Sequence, residues 1–151
     1  MKVVFISYKQ PSGTTKSLDG TWYIYASASP GGEGSPAGMS LADFLDDRAC
    51  DLQVLLQELR DSTTTCKFQS GSNALSVNGN GRYFLIENDY LEDNKDLVPY
   101  SSFERAMEFV LQQQGMKDRK PASVEVQVLA SGHHAYELYA ELHGEGACTA
   151  A

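Results

Sequence analysis

No stretch of the chain is apolar over the ~20 residues needed to cross a bilayer, so a membrane-embedded role is not expected. The opening MKVVFISYKQ has a Lys and a short apolar run, but Ser7 and Tyr8 break the run and no small-residue cleavage site follows, so a secretory leader is not expected either. Cysteine is scarce. Cys50, Cys66 and Cys148 are odd in number, far apart and in no CxxC spacing, which speaks against both a disulfide framework and a zinc site. Free thiols in a reducing cytoplasm are the expectation, and the chain is read as cytoplasmic. Basic residues are also outnumbered, 12 against 20 acids, for a formal charge of −8. Such a chain repels phosphate backbones, which argues against direct nucleic-acid or anionic-membrane binding and favours a basic partner. Net charge of this size also serves solubility alone, so its distribution must decide.

The chain has 151 residues, 42% of them hydrophobic, enough for one well-formed core and too few for two. A single domain over 1–151 is expected. VVFISY and TWYIYAS are rich in β-branched and aromatic residues and read as two early strands, joined by a Pro/Ser/Gly/Thr linker from Pro11 to Gly20. Gly and Pro then crowd residues 29–39, predicting a mobile loop. Ser40 and Asp43 mark a helix start. Leu41, Phe44, Leu45, Leu52, Leu55, Leu56 and Leu59 share one helical face through about residue 60, with Asp43, Asp47, Asp51 and Glu58 in an arc opposite.

TTTCKF, ALSV and RYFLIE predict a β-meander with a tight Gly-rich turn before Arg82. Pro99, an S-x-x-E capping box at Ser101 and Glu104, and Phe103, Ala106, Met107, Val110 and Leu111 predict a second helix that stops at Gly115. SVEVQVLA alternates as a half-buried strand does, and AYELYAEL is read as a further strand. Residues 144–151 are expected to fray. Strands clustered between two main helices imply an α+β fold, an antiparallel or mixed sheet with the helices packed against it.

Chemistry is thin. No nucleophile elbow occurs, no carboxylate pair stands out, and the histidines (His133, His134, His143) lack metal-ligand spacing. An enzymatic role, a metal and a cofactor are therefore not expected. ENDYLEDNKD is the densest charge, and it is not a calcium loop: counted from Asp89, the third position is Leu91, the glycine position Asn94 and the twelfth Tyr100. Glu87, Asp89, Glu92, Asp93 and Asp96 surround Tyr90 in this segment. Carboxylates around an aromatic suit a surface aimed at a basic protein, while a solvated loop with Tyr90 packed on its own domain has the same composition. The candidate contacts are these six residues, with Asp43, Asp47 and Asp51 as a second patch.

LQVLLQELRD, ALSVNGNGRYFLIENDY, LVPYSSFERAMEFVLQQQG and RKPASVEV supply a leading helix, a strand pair with a Gly-rich turn and an apolar-Pro start to the second helix. Phe109 lies late in that helix, and a basic residue with Pro121 precedes the last strand. Over roughly residues 50 to 128 this arrangement resembles the Imm1-type immunity proteins of bacterial polymorphic toxin systems. Where members of that family often carry a Trp in the strand after the turn, this chain has Val126, and Lys120 separates Arg119 from Pro121. The resemblance implies a cytoplasmic antidote, monomeric or weakly dimeric, that covers the basic substrate surface of a cognate toxin such as a nuclease or nucleic-acid deaminase. A phage-encoded acidic inhibitor of a nucleic-acid-handling defence protein, and a small enzyme of unknown type, are the alternative readings.

Overall fold

A computed structural model describes residues 2–9, 22–30, 32–118 and 120–143. The whole Pro11 to Gly20 linker and the terminal 144–151 segment, for which fraying was expected, lie outside them. Among the described residues the fold is α+β with four helices and two antiparallel sheets. The two early strands, β1 (Lys2–Lys9) and β2 (Tyr23–Ser27), pair antiparallel, with Ser7 opposite Tyr25. On its other side β1 pairs with β7 (Ala122–Val128), giving a three-stranded sheet in the order β2-β1-β7. Strands β3 (Phe68–Gly71), β4 (Leu75–Gly79), β5 (Tyr83–Asn88), β6 (Lys95–Pro99) and β8 (Ala130–Ser131) form the second sheet in that order. Leu129, between β7 and β8, donates its N–H to the Leu97 carbonyl at 2.8 Å, so one run of chain stitches the two sheets together.

The single long helix expected from Ser40 is two helices, α1 (Met39–Asp47) and α2 (Leu52–Thr65), separated by a 3₁₀ turn at Ala49–Asp51. The break leaves Asp46 and Asp47 in the last turn of α1 with no base there, a placement that the helix dipole disfavours. All seven apolar residues expected on the buried face are buried, because the break preserves their side. Helix α2 also runs through the threonines read as the start of a strand. There the Ser62 and Thr63 hydroxyls donate to the Leu59 and Arg60 carbonyls at 2.5 and 2.7 Å, turning groups that usually compete with a helix into part of it.

Helix α3 (Tyr100–Gln114) forms with Gly115 at its end, but the Ser101 capping box does not: no side chain caps it. Glu104 instead accepts from the Tyr100 hydroxyl at 2.9 Å and from Arg60 of α2 at 3.1 Å. Burial and the adjoining Glu104 push the Tyr100 hydroxyl up to about 12. The segment read as a last strand is helix α4 (His133–His143). Its apolar side chains Ala135, Leu138, Tyr139 and Leu142 fall at i, i+3, i+4 and i+7 and pack on Leu85 and Leu97. The opposite face of the same strands, through Phe84, Ile86 and Val98, joins the main core with α1, α2 and α3. Strands β5 and β6 are thus covered on both sides, which is why FLI is one continuous apolar run. At the centre of the main core the Phe103 ring meets Phe84 at 5.4 Å, Phe44 at 6.0 Å and Phe68 at 6.1 Å.

The Gly/Pro-rich stretch expected to be mobile is bonded to its surroundings. Gly34 bridges to Ser27, Ser35 donates to the Ala26 carbonyl at 2.9 Å, and the Gly38 N–H reaches the Asp96 carboxylate at 2.9 Å. Gly38 has φ 86, and a β-carbon there would sit 3.0 Å from Val4 and 3.1 Å from Ala26, so only glycine fits. Asp96 is completely buried on β6 and also accepts from the Leu41 N–H at 3.0 Å and the Ser131 hydroxyl at 2.9 Å. It therefore caps α1 from a strand 55 residues away, doing what Ser40 was expected to do; the Ser40 hydroxyl instead donates to the Asn94 carbonyl at 2.8 Å. Replacing Asp96 by Ala strands two buried amides and is expected to cost about 3 kcal/mol, measured by urea denaturation; a loss below about 1 kcal/mol would show that the cap is dispensable.

Candidate protein-binding surface

The acidic segment is the β5–β6 connection, and its backbone is closed from within. Asn88 donates to the Asn94 carbonyl at 3.0 Å, and Asn94 donates to Leu91 at 2.9 Å. The Asn88 side-chain oxygen accepts from the N–H groups of Tyr90 and Leu91 at 2.9 and 3.0 Å, an Asx turn that an Asn at this position makes readily. Outside contacts fasten it further. The Asp89 N–H donates to the Ala74 carbonyl at 2.7 Å and the Ser76 hydroxyl to the Asp89 carboxylate at 2.8 Å. Lys95 donates to the Glu92 carbonyl. On this held loop Tyr90 is 79% exposed and Leu91 55% exposed, with Asp89, Glu92 and Asp93 also exposed. Tyr90 is thus not packed on its own domain.

The expected constellation does not stay whole. Asp96 is removed from it, since a carboxylate with no exposed surface cannot touch a partner. Burial pushes its carboxyl up, opposed by the hydrogen bonds from Gly38, Leu41, Ser131 and Ser40. Glu87 turns into a groove of about 630 Å³ between α4 and the outer face of β3–β5, beside Tyr136, Tyr139, Gln69 and Asn78, and lies 3.9 Å from Lys95. Asp51 is held by Arg48 at 2.7 Å, which keeps its carboxyl below the ordinary range. The same guanidinium donates to the Ser70 hydroxyl and the Gly71 carbonyl at 2.7 and 3.0 Å, so the Asp51–Arg48 pair fastens the interhelical turn to β3.

Asp47 of α1 does come near the loop, through the β3–β4 turn, and Asp43 lies half-buried one turn back beside Asp47. Ser72 of that turn donates to Asp47 at 2.7 Å, and Ala74, two residues on, holds Asp89. Asp46, not among the residues expected, completes this side; it accepts from the Ile24 N–H at 3.1 Å and so blunts the outer edge of β2. Its signal in the sequence was the i, i+3 step from Asp43 on a helix. Leu91 was also missed, although an apolar residue beside Tyr90 in an acidic run is itself a signal. Burial, then Asp47, Asp46 and Asp96, push the Asp43 carboxyl up. Burial and Asp47 do the same to Asp46, against the Ile24 hydrogen bond.

His133 and His134 are exposed on the first turn of α4 and not on a strand, with His133 3.9 Å from Glu137. Among the described residues no group of three or more His, Cys, Asp or Glu side chains is placed to hold a metal ion, and no helix is long and apolar enough to cross a membrane. Cys50 is free and exposed, whereas Cys66 is disulfide-bonded, contrary to the expectation of free thiols throughout. The spacing of cysteines along the chain does not carry their distance in space.

These features define an α+β protein whose most distinctive surface is a fastened acidic loop with an aromatic-aliphatic tip. Comparison of the chain with protein-family models, with curated proteins and with solved structures finds no match.

The raised Asp43 carboxyl gives a pH-dependent signature. A carboxyl whose folded-state pKa lies above its unfolded value burdens the fold at neutral pH, and the burden lifts as pH falls toward the ordinary 3.8. Asp43→Asn is therefore expected to stabilise the protein by up to about 1 kcal/mol near neutral pH in low salt. The gain should shrink toward zero near about pH 4 and only in part in high salt, which screens the neighbouring carboxylates but not the burial. Denaturation curves of both proteins across that range test it, and a gain that grows on acidification would reverse the assignment.

Proposed function

We propose that this protein is an immunity protein that binds and neutralises a cognate bacterial toxin domain, a nuclease or nucleic-acid deaminase, by covering its basic substrate surface. The observation that carries the reading is the exposure of Tyr90 and Leu91 at the tip of a loop fastened on both sides and rimmed by Asp89, Glu92 and Asp93. An exposed aromatic on a pre-ordered backbone supplies contact area without a large ordering cost on binding. Surrounding carboxylates match a surface that must be basic to hold phosphates, and they accelerate encounter with it. Asp43, Asp46 and Asp47 extend the acidic area across the β3–β4 turn. Burial first, and then their neighbouring carboxylates, raise the Asp43 and Asp46 carboxyls, and a cationic surface relieves the like-charge part. The resemblance over residues 50 to 128 points to the same kind of partner and implies a cytoplasmic location, whereas the Cys66 disulfide is of a kind that persists in oxidising compartments.

Co-purification from the source cell identifies the partner, and two variants then separate steering from anchoring. Reversing Asp89, Glu92 and Asp93 to Lys should slow association by about 10-fold or more at low salt, with a weaker salt dependence than the parent. Tyr90→Ala should leave association nearly unchanged and speed dissociation, weakening the complex by about 2 kcal/mol. Surface plasmon resonance reads both rates, and unchanged affinity in both variants would remove the loop from the interface. A partner without a basic substrate surface would remove the proposed mode of inhibition.

A further inference from the structure

Strand β7 is the edge of the three-stranded sheet: it pairs with β1, and among the described residues no strand pairs with its other side. The register with β1 runs one-to-one from Ala122 opposite Tyr8 to Val128 opposite Lys2, without a bulge. The Gln127 N–H points away from β1, since it donates to the Ser102 hydroxyl of α3 at 3.2 Å. Backbone direction alternates along a strand, so the N–H and C=O groups of Ser123 and Glu125 face the same open side. That side opens into a groove of about 360 Å³ between β7 and α3, walled by Glu104, Arg105 and Glu108. The structure thus holds two consecutive outward-facing backbone positions of an edge strand, next to a space.

We propose that this edge of β7 accepts an extended basic segment of a partner protein as an added antiparallel strand, with a Lys or Arg of that segment opposite Glu125. Charge selects this occupant. Glu125 is exposed and has no cationic side chain within ion-pair distance among the described residues. Among the described residues three carboxylates, Glu104, Glu108 and Glu125, line the groove against one cation, Arg105, and Glu104 and Glu108 have only Arg60 between them, at 3.1 and 3.3 Å. A second copy of this chain is the wrong occupant, because two β7 edges paired about Glu125 place carboxylates face to face, in molecules each carrying −8. Natural edges are usually shielded by short length, a bulge or a covering loop. β7 is 7 residues long and regular, and Ser102 blocks one of its outward positions only. This surface is separate from the Tyr90 loop and does not rest on the immunity reading.

The probes are two alternating peptides of about eight residues, one Lys-Thr and one Glu-Thr, added to the isotope-labelled protein and followed by NMR shifts and amide exchange. The Lys-Thr peptide is expected to shift and protect the Ser123 and Glu125 amides, and the Glu-Thr peptide to bind at least about 10-fold more weakly. Glu125→Pro removes an N–H that β1 does not use, so it should abolish binding while the sheet persists. Glu125→Lys, which changes no backbone group, should invert the peptide preference and serves where the proline variant fails to fold. Reversal of Asp89, Glu92 and Asp93 should leave the Ser123 and Glu125 shifts in place. Shifts confined to residues 88–94, binding that survives Glu125→Pro, an unchanged preference in Glu125→Lys, or protection of Glu125 that rises with protein concentration without peptide would each overturn the proposal.

Discussion

A single buried carboxylate ties the layers of this protein together. Asp96 belongs to β6, yet its oxygens serve Gly38 and Leu41 at the start of α1 and Ser131 of β8. Four acceptor sites on one carboxylate satisfy donors that would otherwise be stranded in the interior, and the positive end of α1 favours negative charge there. The contact fixes more than a helix end. It requires the chain to arrive at Gly38 with a left-handed backbone pressed on Val4 and Ala26, and this sets α1 against the three-stranded sheet. It also draws β8 to the edge of β6, so that α4 follows on the outer face with Ala135 in its core.

Much of the surface acidity is employed in structure as well as in charge. Asp46 satisfies the edge of β2, Asp51 and Arg48 fasten the interhelical turn to β3, and Asp89 seals the acidic loop to β4. Asp47 holds the β3–β4 turn through Ser72, and what is left over is Asp43 on α1 with Glu92 and Asp93 beside Tyr90. Burial first, and neighbouring carboxylates after it, raise the carboxyls of Asp43 and Asp46, which burdens the free protein. A cationic partner relieves the like-charge part of that burden.

Apolar periodicity along the chain was enough to place the buried faces of α1, α2 and α3 and to pair β1 with β2, since those patterns are local and survive any packing. It failed at α4, whose apolar residues have the helical period but whose strand-favouring tyrosines read equally well as β. Packing on Leu85 and Leu97 settled that choice. The helix start read at Ser40 and the capping box at Ser101 also misled: Asp96 of a distant strand bonds the start of α1, and Glu104 is engaged by Tyr100 and Arg60. Of the candidate contacts, Asp89, Tyr90, Glu92 and Asp93 stand together on the surface, while Glu87 lines a groove and Asp96 lies in the core. Alternation could not separate them, because the loop in between ends the strand period.

The sequence by itself determined the α+β class, the composition of the core and the acidic character of the 87–96 segment, each of which depends on side-chain chemistry and short-range spacing. Tertiary structure alone decided which acids face water, because β5 and β6 are covered on both faces, and a carboxylate two residues from the loop's end is then either buried with donors or not tolerated at all. It likewise decided that Tyr90 and Leu91 are exposed together, that α1 and the loop share one turn, and that, among the described residues, β7 ends its sheet with two outward backbone positions unpaired. Those outcomes rest on strands and helices meeting across tens of residues, a distance over which spacing along the chain carries no information about contact.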